Sequence, residues 1–154
     1  MSVTALRRGL AAACCLLICA LMPSTAAASA RHNQLETGVV KAINHVRSAN
    51  GLPRLSASFG LARAADAHSA SMLRRNTMSH GAFSSRVRRY VHVRRVGENL
   101  AWMSRCSANA IVNMWMNSPS HRKVLLTRSF TRVGVGQRAS SRVCFVTADF
   151  GSAR

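Results

Sequence analysis

Helix-type hydrophobic patterns come first along this chain and strand-type patterns come late. This order constrains the fold more than any other feature of the sequence. Apolar residues three and four positions apart indicate a helix over residues 34–50, ending at Gly51 before a proline. A second helix is predicted from Ser58, a plausible N-cap, to residue 76. A third begins after Ser107 and stops before a proline, and a short helical turn follows over 120–126.

Strand-type patterns come late in the chain. Residues 132–137 and 143–150 read as two strands, and the polar stretch 138–142 joins them as a hairpin. A further short strand is predicted near residues 97–102, after a glycine turn. Helices first and a small antiparallel sheet late predict an α+β layered domain. At 154 residues the chain is long enough for one such domain and short for two.

The N-terminal 30 residues have the pattern of a secretory signal peptide. Arg7 and Arg8 precede an apolar run over residues 10–22, and small residues ending at Ala30 supply a cleavage signal. The apolar run is shorter than the roughly 20 residues that span a bilayer. We therefore expect residues 1–30 to be removed, leaving a domain over 31–154 in a secreted or periplasmic protein.

The cysteine count changes when the predicted leader is removed. Three of the five cysteines lie within residues 1–30, and Cys106 and Cys144 remain. An even pair in an exported chain predicts a disulfide, with two buried free thiols as the alternative. The bond would close a loop of 38 residues, which the chain-entropy model values at about 4 kcal/mol.

The chain is strongly basic. Its formal net charge is +18, and removal of Arg7 and Arg8 with the leader leaves +16. Such a field attracts polyanions without choosing among them. The densest basic segment is either a solvated loop or a patch that binds anionic surfaces. Few aromatic residues accompany it and no nucleic-acid-binding module is recognisable, so we expect no specific nucleic-acid partner. The patch consists of Arg86, Arg88, Arg89, Arg94 and Arg95.

Several short motifs together resemble one protein family. In order along the chain they are Asn44 and Arg47, Ser79-His80, Gly97-Glu98-Asn99-Leu100, Trp115 to Arg122, Val133 to Gly136, and Asp149-Phe150-Gly151. This series resembles the bacterial branch of the CAP superfamily, which includes cysteine-rich secretory and pathogenesis-related proteins. The resemblance implies an α-β-α sandwich with a three-stranded antiparallel sheet between helical layers.

The resemblance also implies a site. Members commonly present two histidines and two glutamates in a central cavity, and His80, Glu98 and His121 match three of these four. Ser118 stands where the second glutamate would fall, so a mechanism with two carboxylates, such as glycoside hydrolysis, is in doubt. Asn99 and Ser118 complete the predicted groove.

Three chemical roles are open for these residues. His80 and His121 are suitable Zn²⁺ ligands, with Glu98 as a third ligand or as an acceptor for a ring N–H. No His-Glu-x-x-His helix occurs, and we expect no required cofactor. A purely structural hydrogen-bonded network is the alternative. Ser118 lacks the glycine-flanked turn of a serine nucleophile and is expected to act locally.

Two functional classes follow. The favoured one is a non-enzymatic, monomeric binding protein for a lipid, sterol-like or cell-envelope ligand, as the resemblance implies. The alternative is an extracellular hydrolase acting on peptide or phosphodiester bonds, with His80, Glu98 and His121 as acid/base or metal-binding groups. A third class, a cationic factor acting mainly through its charge, would show salt sensitivity without dependence on the site.

Overall fold

A computed structural model describes residues 25–152 of the chain, with side chains from residue 34 onward. The predicted leader, residues 1–30, lies outside the described residues except for 25–30, which belong to the first helix. Cleavage after Ala30 therefore stays a prediction. None of the helices described is both long and apolar enough to cross a membrane.

The helices begin and end where local chemistry favours it. The Ser58 hydroxyl accepts a hydrogen bond from the Leu61 amide at 3.4 Å, and Asn76 closes the same helix in the left-handed conformation, with φ 47°. Gly51 follows the first helix with φ 65°. The predicted helices are confirmed, and one short additional helix lies in the basic segment. The helices are α1 (Thr25–Ala49), α2 (Phe59–Arg75), α3 (Phe83–Arg88), α4 (Ala108–Asn117) and α5 (Pro119–Leu125).

One mixed sheet forms the middle layer. Its strands are β1 (Ser56–Ala57), β2 (Val96–Met103), β3 (Arg132–Ala139) and β4 (Cys144–Gly151), in the spatial order β1-β3-β4-β2. The predicted hairpin of β3 and β4 is confirmed, and β2 pairs antiparallel with β4. The α+β class is confirmed, but the sheet has four strands rather than three. The extra strand is short: β1 pairs parallel with β3 as the chain passes from α1 to α2.

The sheet lies between two helical layers. The α2 helix packs against β3 and β4 on one face, and α1 with α4 covers the other. Gly134 and Gly136 lie under α2, where an added Cβ would collide with the backbone of Ala62 and Asp66. The absence of side chains at these two glycines therefore lets helix and sheet approach closely. The apolar core on the α1 face includes Val39, Ile43, Ile111, Trp115, Val133, Val135, Val146, Ala148 and Phe150.

The predicted disulfide is present. It joins Cys106, just before α4, to Cys144, the first residue of β4, with Cα atoms 6.0 Å apart. The bond therefore ties the helical layer of the α1 face to the central strand of the sheet.

A buried arginine holds the loops of the α1 face. Arg47 Nε donates to the Pro53 carbonyl at 3.0 Å, and Nη1 donates to the carbonyls of Leu125 and Thr127 at 2.8 and 3.0 Å. Nη2 donates to the Phe130 carbonyl at 3.3 Å. Burial lowers the pKa of this guanidinium below its usual value. The hydrogen bonds connect α1 to the segment between α5 and β3.

Candidate functional site

Three parts of the chain supply the predicted site residues. His80 lies in the loop that follows α2, Glu98 is in β2, and His121 is in the first turn of α5. The turn after Asn76 directs the chain from the end of α2 toward the edge strand β2. Of the three predicted residues, His80 and Glu98 are in direct contact: His80 Nδ1 lies 2.7 Å from Glu98 Oε1.

Glu98 is the enclosed centre of the site. Its side chain is only 1% exposed, and its second carboxylate oxygen, Oε2, pairs with Arg86 Nη2. Burial raises the pKa of Glu98 to about 7, and the Arg86 guanidinium opposes this shift. Both oxygens of Glu98 are thus occupied by protein groups, so a ligand arriving from solvent meets His80 first.

A second buried carboxyl group adjoins the first. Asp149 in β4 is the cross-strand partner of Glu98 in β2, and side chains at such positions project from the same face of the sheet. Arg86 Nη2 lies 3.4 Å from Asp149 Oδ1. Burial and the neighbouring charge of Glu98 raise the pKa of Asp149 well above its usual value. Two carboxyl groups share one guanidinium, so the pair retains a proton to near-neutral pH.

The two histidines of the site differ in exposure. The His80 side chain is 53% exposed, whereas His121 is half-buried. His121 Nδ1 is buried and has no hydrogen-bond partner in the part of the chain that the structure describes. Burial, followed by the charge of His80, lowers the pKa of His121. Asn99 points to the face of β2 opposite Glu98 and donates to the His121 carbonyl at 3.0 Å. Asn99 therefore positions the backbone of His121.

A third histidine lies beneath this site. His68 of α2 is buried, and its Nε2 lies 2.8 Å from the Ser79 carbonyl and 3.9 Å from Glu98 Oε2. Burial is the largest cause that lowers the pKa of His68 to about 4, and the nearby Arg86 adds to it. His68 is thus neutral at physiological pH and holds the loop that carries His80.

Ser118 lies at the edge of the site and does not join its network. Its hydroxyl is 3.2 Å from that of Ser120, at the junction of α4 and α5. The hydroxyl group is therefore not activated by a histidine partner in the way that nucleophilic serines are. The expectation that Ser118 acts locally agrees with this geometry.

The donor set was tested against a zinc ion. Catalytic zinc sites usually have three protein ligands, and here both oxygens of Glu98 are engaged, which leaves His80 and His121. Between residues 34 and 152, no group of three or more histidine, cysteine or acidic side chains is arranged to hold a metal ion. The described residues do not form a complete zinc site.

The predicted basic patch needs one correction. Arg86 is 9% exposed and pairs with Glu98 and Asp149, so it belongs to the site and not to the surface. It is buried because α3 forms within the basic segment and turns this residue toward β2. The other four arginines are exposed, as expected: Arg88, Arg89, Arg94 and Arg95.

The sequence interpretation missed three members of the site: Arg86, Asp149 and His68. A signal for Asp149 was available, because it is an acid between two apolar residues of a predicted strand in a chain with only four acids. His68 is buried and hydrogen-bonded to the Ser79 carbonyl, and its position within the helical pattern of α2 gives no sign of its nearness to Glu98. Nothing in the local sequence separates Arg86 from the exposed arginines beside it.

Comparison with known proteins gives one family. The model of the cysteine-rich secretory protein family (CAP) matches residues 40–150. The matched region includes every residue of the site described above.

Three similar proteins come from bacilli. The chain is 33% identical over 107 residues to the uncharacterized membrane protein YlbC of Bacillus subtilis (strain 168), covering 66% of this chain and 31% of that protein. It is 29% identical over 126 residues to the uncharacterized protein YkwD of the same organism, covering 78% and 49%. An extracellular protein containing a SCP domain from Bacillus anthracis has a crystal structure that matches with a TM-score of 0.74 and 28% identity, covering 87% of this chain and 45% of that one. The chain thus spans less than half the length of each.

Proposed function

This chain belongs to the cysteine-rich secretory protein (CAP) family, and from that premise we propose that it is a non-enzymatic binding protein of the bacterial cell surface or exterior. Its ligand is a lipid, a sterol-like molecule or an envelope polymer, recognised through His80 and His121. Fold alone does not give this function, because one fold hosts many activities. The proposal depends on the chemistry of the site.

The observation that carries the proposal is the enclosure of Glu98. Its side chain is 1% exposed and its oxygens are held by His80 and Arg86. An acid that takes part in catalysis must reach the atom whose proton it moves. Glu98 instead fixes the orientation of His80 from below. The polar groups left for a ligand are imidazole edges, which suit hydrogen bonding to hydroxyl, carbonyl or phosphate oxygens.

Thermal shift and vesicle sedimentation test this proposal together. The oxidised protein is mixed with phosphatidylcholine vesicles, with a dispersed sterol and with soluble peptidoglycan fragments, because a ligand of the native state raises its melting temperature. We expect at least one probe to stabilise the wild type and to lose its effect in His80→Ala and His121→Ala. His92→Ala, an exposed histidine outside the site, is the matched control and should respond like the wild type.

Two outcomes contradict the binding function. One is the absence of a shift and of co-sedimentation with all three probes. The other is a shift that both site variants retain in full, which would place binding elsewhere. If His80→Ala and His121→Ala only lower the melting temperature and no probe changes it, the network is structural.

One observation favours a second candidate, a hydrolase. Contact between His80 Nδ1 and Glu98 Oε1 at 2.7 Å matches the way a carboxylate orients an imidazole whose other nitrogen acts as a general base. His80 is exposed enough to activate a water molecule. Assays with a fluorogenic peptide and with bis(p-nitrophenyl) phosphate, with and without chelator, test this candidate. Activity that persists in His92→Ala and disappears in His80→Ala would support it, and equal rates in all variants would exclude it.

A further inference from the structure

A cavity lies on the α2 and α3 side of His80. Its volume is about 310 Å³, at the lower end of the range for small-molecule sites. His80 lines it, whereas His121 is not among its lining residues. The lining includes Ser71, Arg74, Arg75, His80, Arg86, Arg89 and Tyr90.

Four arginines line this cavity, and none of the described residues that line it is acidic. Arg86 has carboxyl partners behind the cavity, in Glu98 and Asp149. Within residues 34–152, the side chains of Arg74, Arg75 and Arg89 form no ion pair. Like charges gathered in one concave site repel each other and focus a positive potential in it. An anion in the cavity would relieve that repulsion.

The innermost arginine has an unused donor. Within residues 34–152, buried Arg86 Nε has no hydrogen-bond partner, although both terminal nitrogens of the same guanidinium are engaged. An orphaned buried N–H is uncommon because it costs free energy. The hydroxyl groups of Ser71 and Tyr90 add two neutral donors to the lining. The lining is therefore rich in N–H and O–H donors and, among the described residues, contains no carboxylate.

The potential in this cavity also affects His68, which lines it. After burial, the charge of Arg86 is the next cause that lowers the pKa of His68 to about 4, and Arg75 contributes in the same direction. The positive field therefore reaches the wall of the cavity nearest the site.

We propose that this cavity binds a phosphate group, held by Arg74, Arg75 and Arg89 at its mouth with Arg86 at its inner end. Guanidinium groups match phosphate oxygens with paired N–H donors, and a tetrahedral phosphate accepts from several of them at once. A carboxylate has two acceptor oxygens, whereas the phosphate group of a monoester has three. The phosphate belongs to an ester, either free in solution or in a lipid headgroup.

This inference does not depend on the proposed function of the His80 and His121 groove. The variants that test it leave both histidines unchanged, so either proposal can fail while the other stands. If both hold, the cavity supplies an anionic subsite beside the groove.

The first experiment is a thermal-shift titration with inorganic phosphate and with glycerol phosphate, at an ionic strength held constant with sodium chloride. We expect about 3–5 °C of stabilisation of the wild type at 10 mM phosphate, as for a ligand with a Kd near 1 mM. In the double variant Arg75→Gln with Arg89→Gln, binding should weaken roughly tenfold or more because two paired contacts are lost.

The matched control removes the same charge elsewhere. Arg54 and Arg142 are exposed and do not line the cavity, so Arg54→Gln with Arg142→Gln lowers the net charge equally. This control should keep the wild-type response. If both double variants lose binding equally, phosphate adsorbs through net charge and the proposal is wrong. The proposal is also wrong if phosphate raises the melting temperature of the wild type no more than chloride does at the same ionic strength.

Vesicles separate the two sources of phosphate. Vesicles of phosphatidylglycerol should bind the wild type through this cavity if the ester is a lipid headgroup, and glycerol phosphate should compete. If free glycerol phosphate binds but vesicle binding is the same in the wild type and in the Arg75 and Arg89 double variant, the ligand is a soluble ester. Loss of both kinds of binding in the Arg75 and Arg89 double variant supports the headgroup.

A measurement on the wild type keeps the test valid if the double variant does not fold. Phosphate in the cavity should shift the ring resonances of His68 and His80, which line it, while those of the exposed His92 stay unchanged. Saturable shifts at His68 and His80 support the site. Unchanged resonances at up to 20 mM phosphate, roughly twentyfold above the expected Kd, overturn it.

Discussion

Two buried arginines lie on opposite faces of the same sheet, and they differ in what they bind. Arg47, on the α1 face, donates to four backbone carbonyls and has no carboxylate among its hydrogen-bond partners. Arg86, on the α2 face, binds Glu98, Asp149 and the His80 carbonyl, and its Nε has no partner among the described residues. One guanidinium is well supplied with acceptors that carry no charge, and the other is shared by two acids.

This difference separates a structural arginine from one in a functional site. A carbonyl cannot take up a proton in place of a lost partner, so the Arg47 arrangement is fixed at every pH. A carboxyl group can be neutralised, so the Arg86 cluster adjusts its charge to pH and to its surroundings. The protonation of the Arg86 cluster on the α2 face can therefore change when an ion binds, whereas the hydrogen bonds of Arg47 on the α1 face stabilise the fold.

The largest effect is expected for Arg47→Met. The substitution leaves the buried carbonyls of Leu125 and Phe130 without donors, so unfolding free energy should fall by about 3–5 kcal/mol. Because no titrating partner is involved, the loss should be the same at pH 5 and pH 8. Urea denaturation at both pH values measures it, with the exposed Arg54→Met as control. A loss below about 1 kcal/mol would mean that water replaces the guanidinium at little cost.

A smaller and pH-dependent effect is expected for Arg86→Met. At pH 5 the carboxyl groups of Glu98 and Asp149 can remain protonated without the arginine, so the loss should be about 1 kcal/mol. At pH 8 both carboxyl groups tend to ionise in a buried site without the arginine, so the loss of unfolding free energy should rise to about 3 kcal/mol. The same denaturation series measures both values, and Arg88→Met, on the exposed side of α3, should stay near zero. Equal losses at the two pH values would remove the contrast with Arg47.

The smallest effect is expected for Glu98→Gln. The pKa of Glu98 is raised to about 7 in the folded protein, so the folded state binds more protons than the unfolded state above pH 4.5. The free energy of unfolding of the wild type should therefore decrease as pH rises from about 4.5 to 7. In the variant this decrease should be smaller by about 2 kcal/mol. Melting curves across that range measure the difference. An unchanged pH profile would show that Glu98 is ionised throughout.

Glu36 offers an independent check on that prediction. Its pKa is also raised to about 7, mainly by burial, but it lies on α1 and accepts from the Gln137 amide at 3.1 Å. Glu36→Gln should flatten the dependence of the unfolding free energy on pH between about 4.5 and 7. It should not change the way in which the destabilisation by Arg86→Met depends on pH. Coupling between Glu36 and Arg86 in a double-mutant cycle would contradict the separation of the two regions.

The fold was largely predictable because local signals agreed with it. Ser58, Gly51 and the proline after Ser118 mark element ends through backbone chemistry that acts over a few residues. The helix α3 was missed because four of its six residues are serine or arginine and the segment carries no apolar period. The strand β1 was missed because two residues show no alternation, and only the neighbouring β3 makes them a strand.

The site was predictable in part. The family resemblance implied His80, Glu98 and His121 as site residues, and the structure brings His80 and Glu98 into contact. A functional role for the three stays a prediction. The partnership of Glu98 with Asp149 depends on the register between β2 and β4, which joins residues 51 positions apart. Local sequence contains no signal for such a register, so the second acid was not assigned to the site.

The sequence by itself determined the class of fold, most of the helices and strands and the cysteine pair, because periodicity, capping and residue composition can be read locally. Only the tertiary structure decided which of the many arginines are buried and what each one binds. Arg47 and Arg86 have the same side chain, and their neighbours in the sequence do not reveal their roles. The charge of an arginine is a property of its side chain, whereas the free energy of burying that charge depends on the groups that folding brings around it.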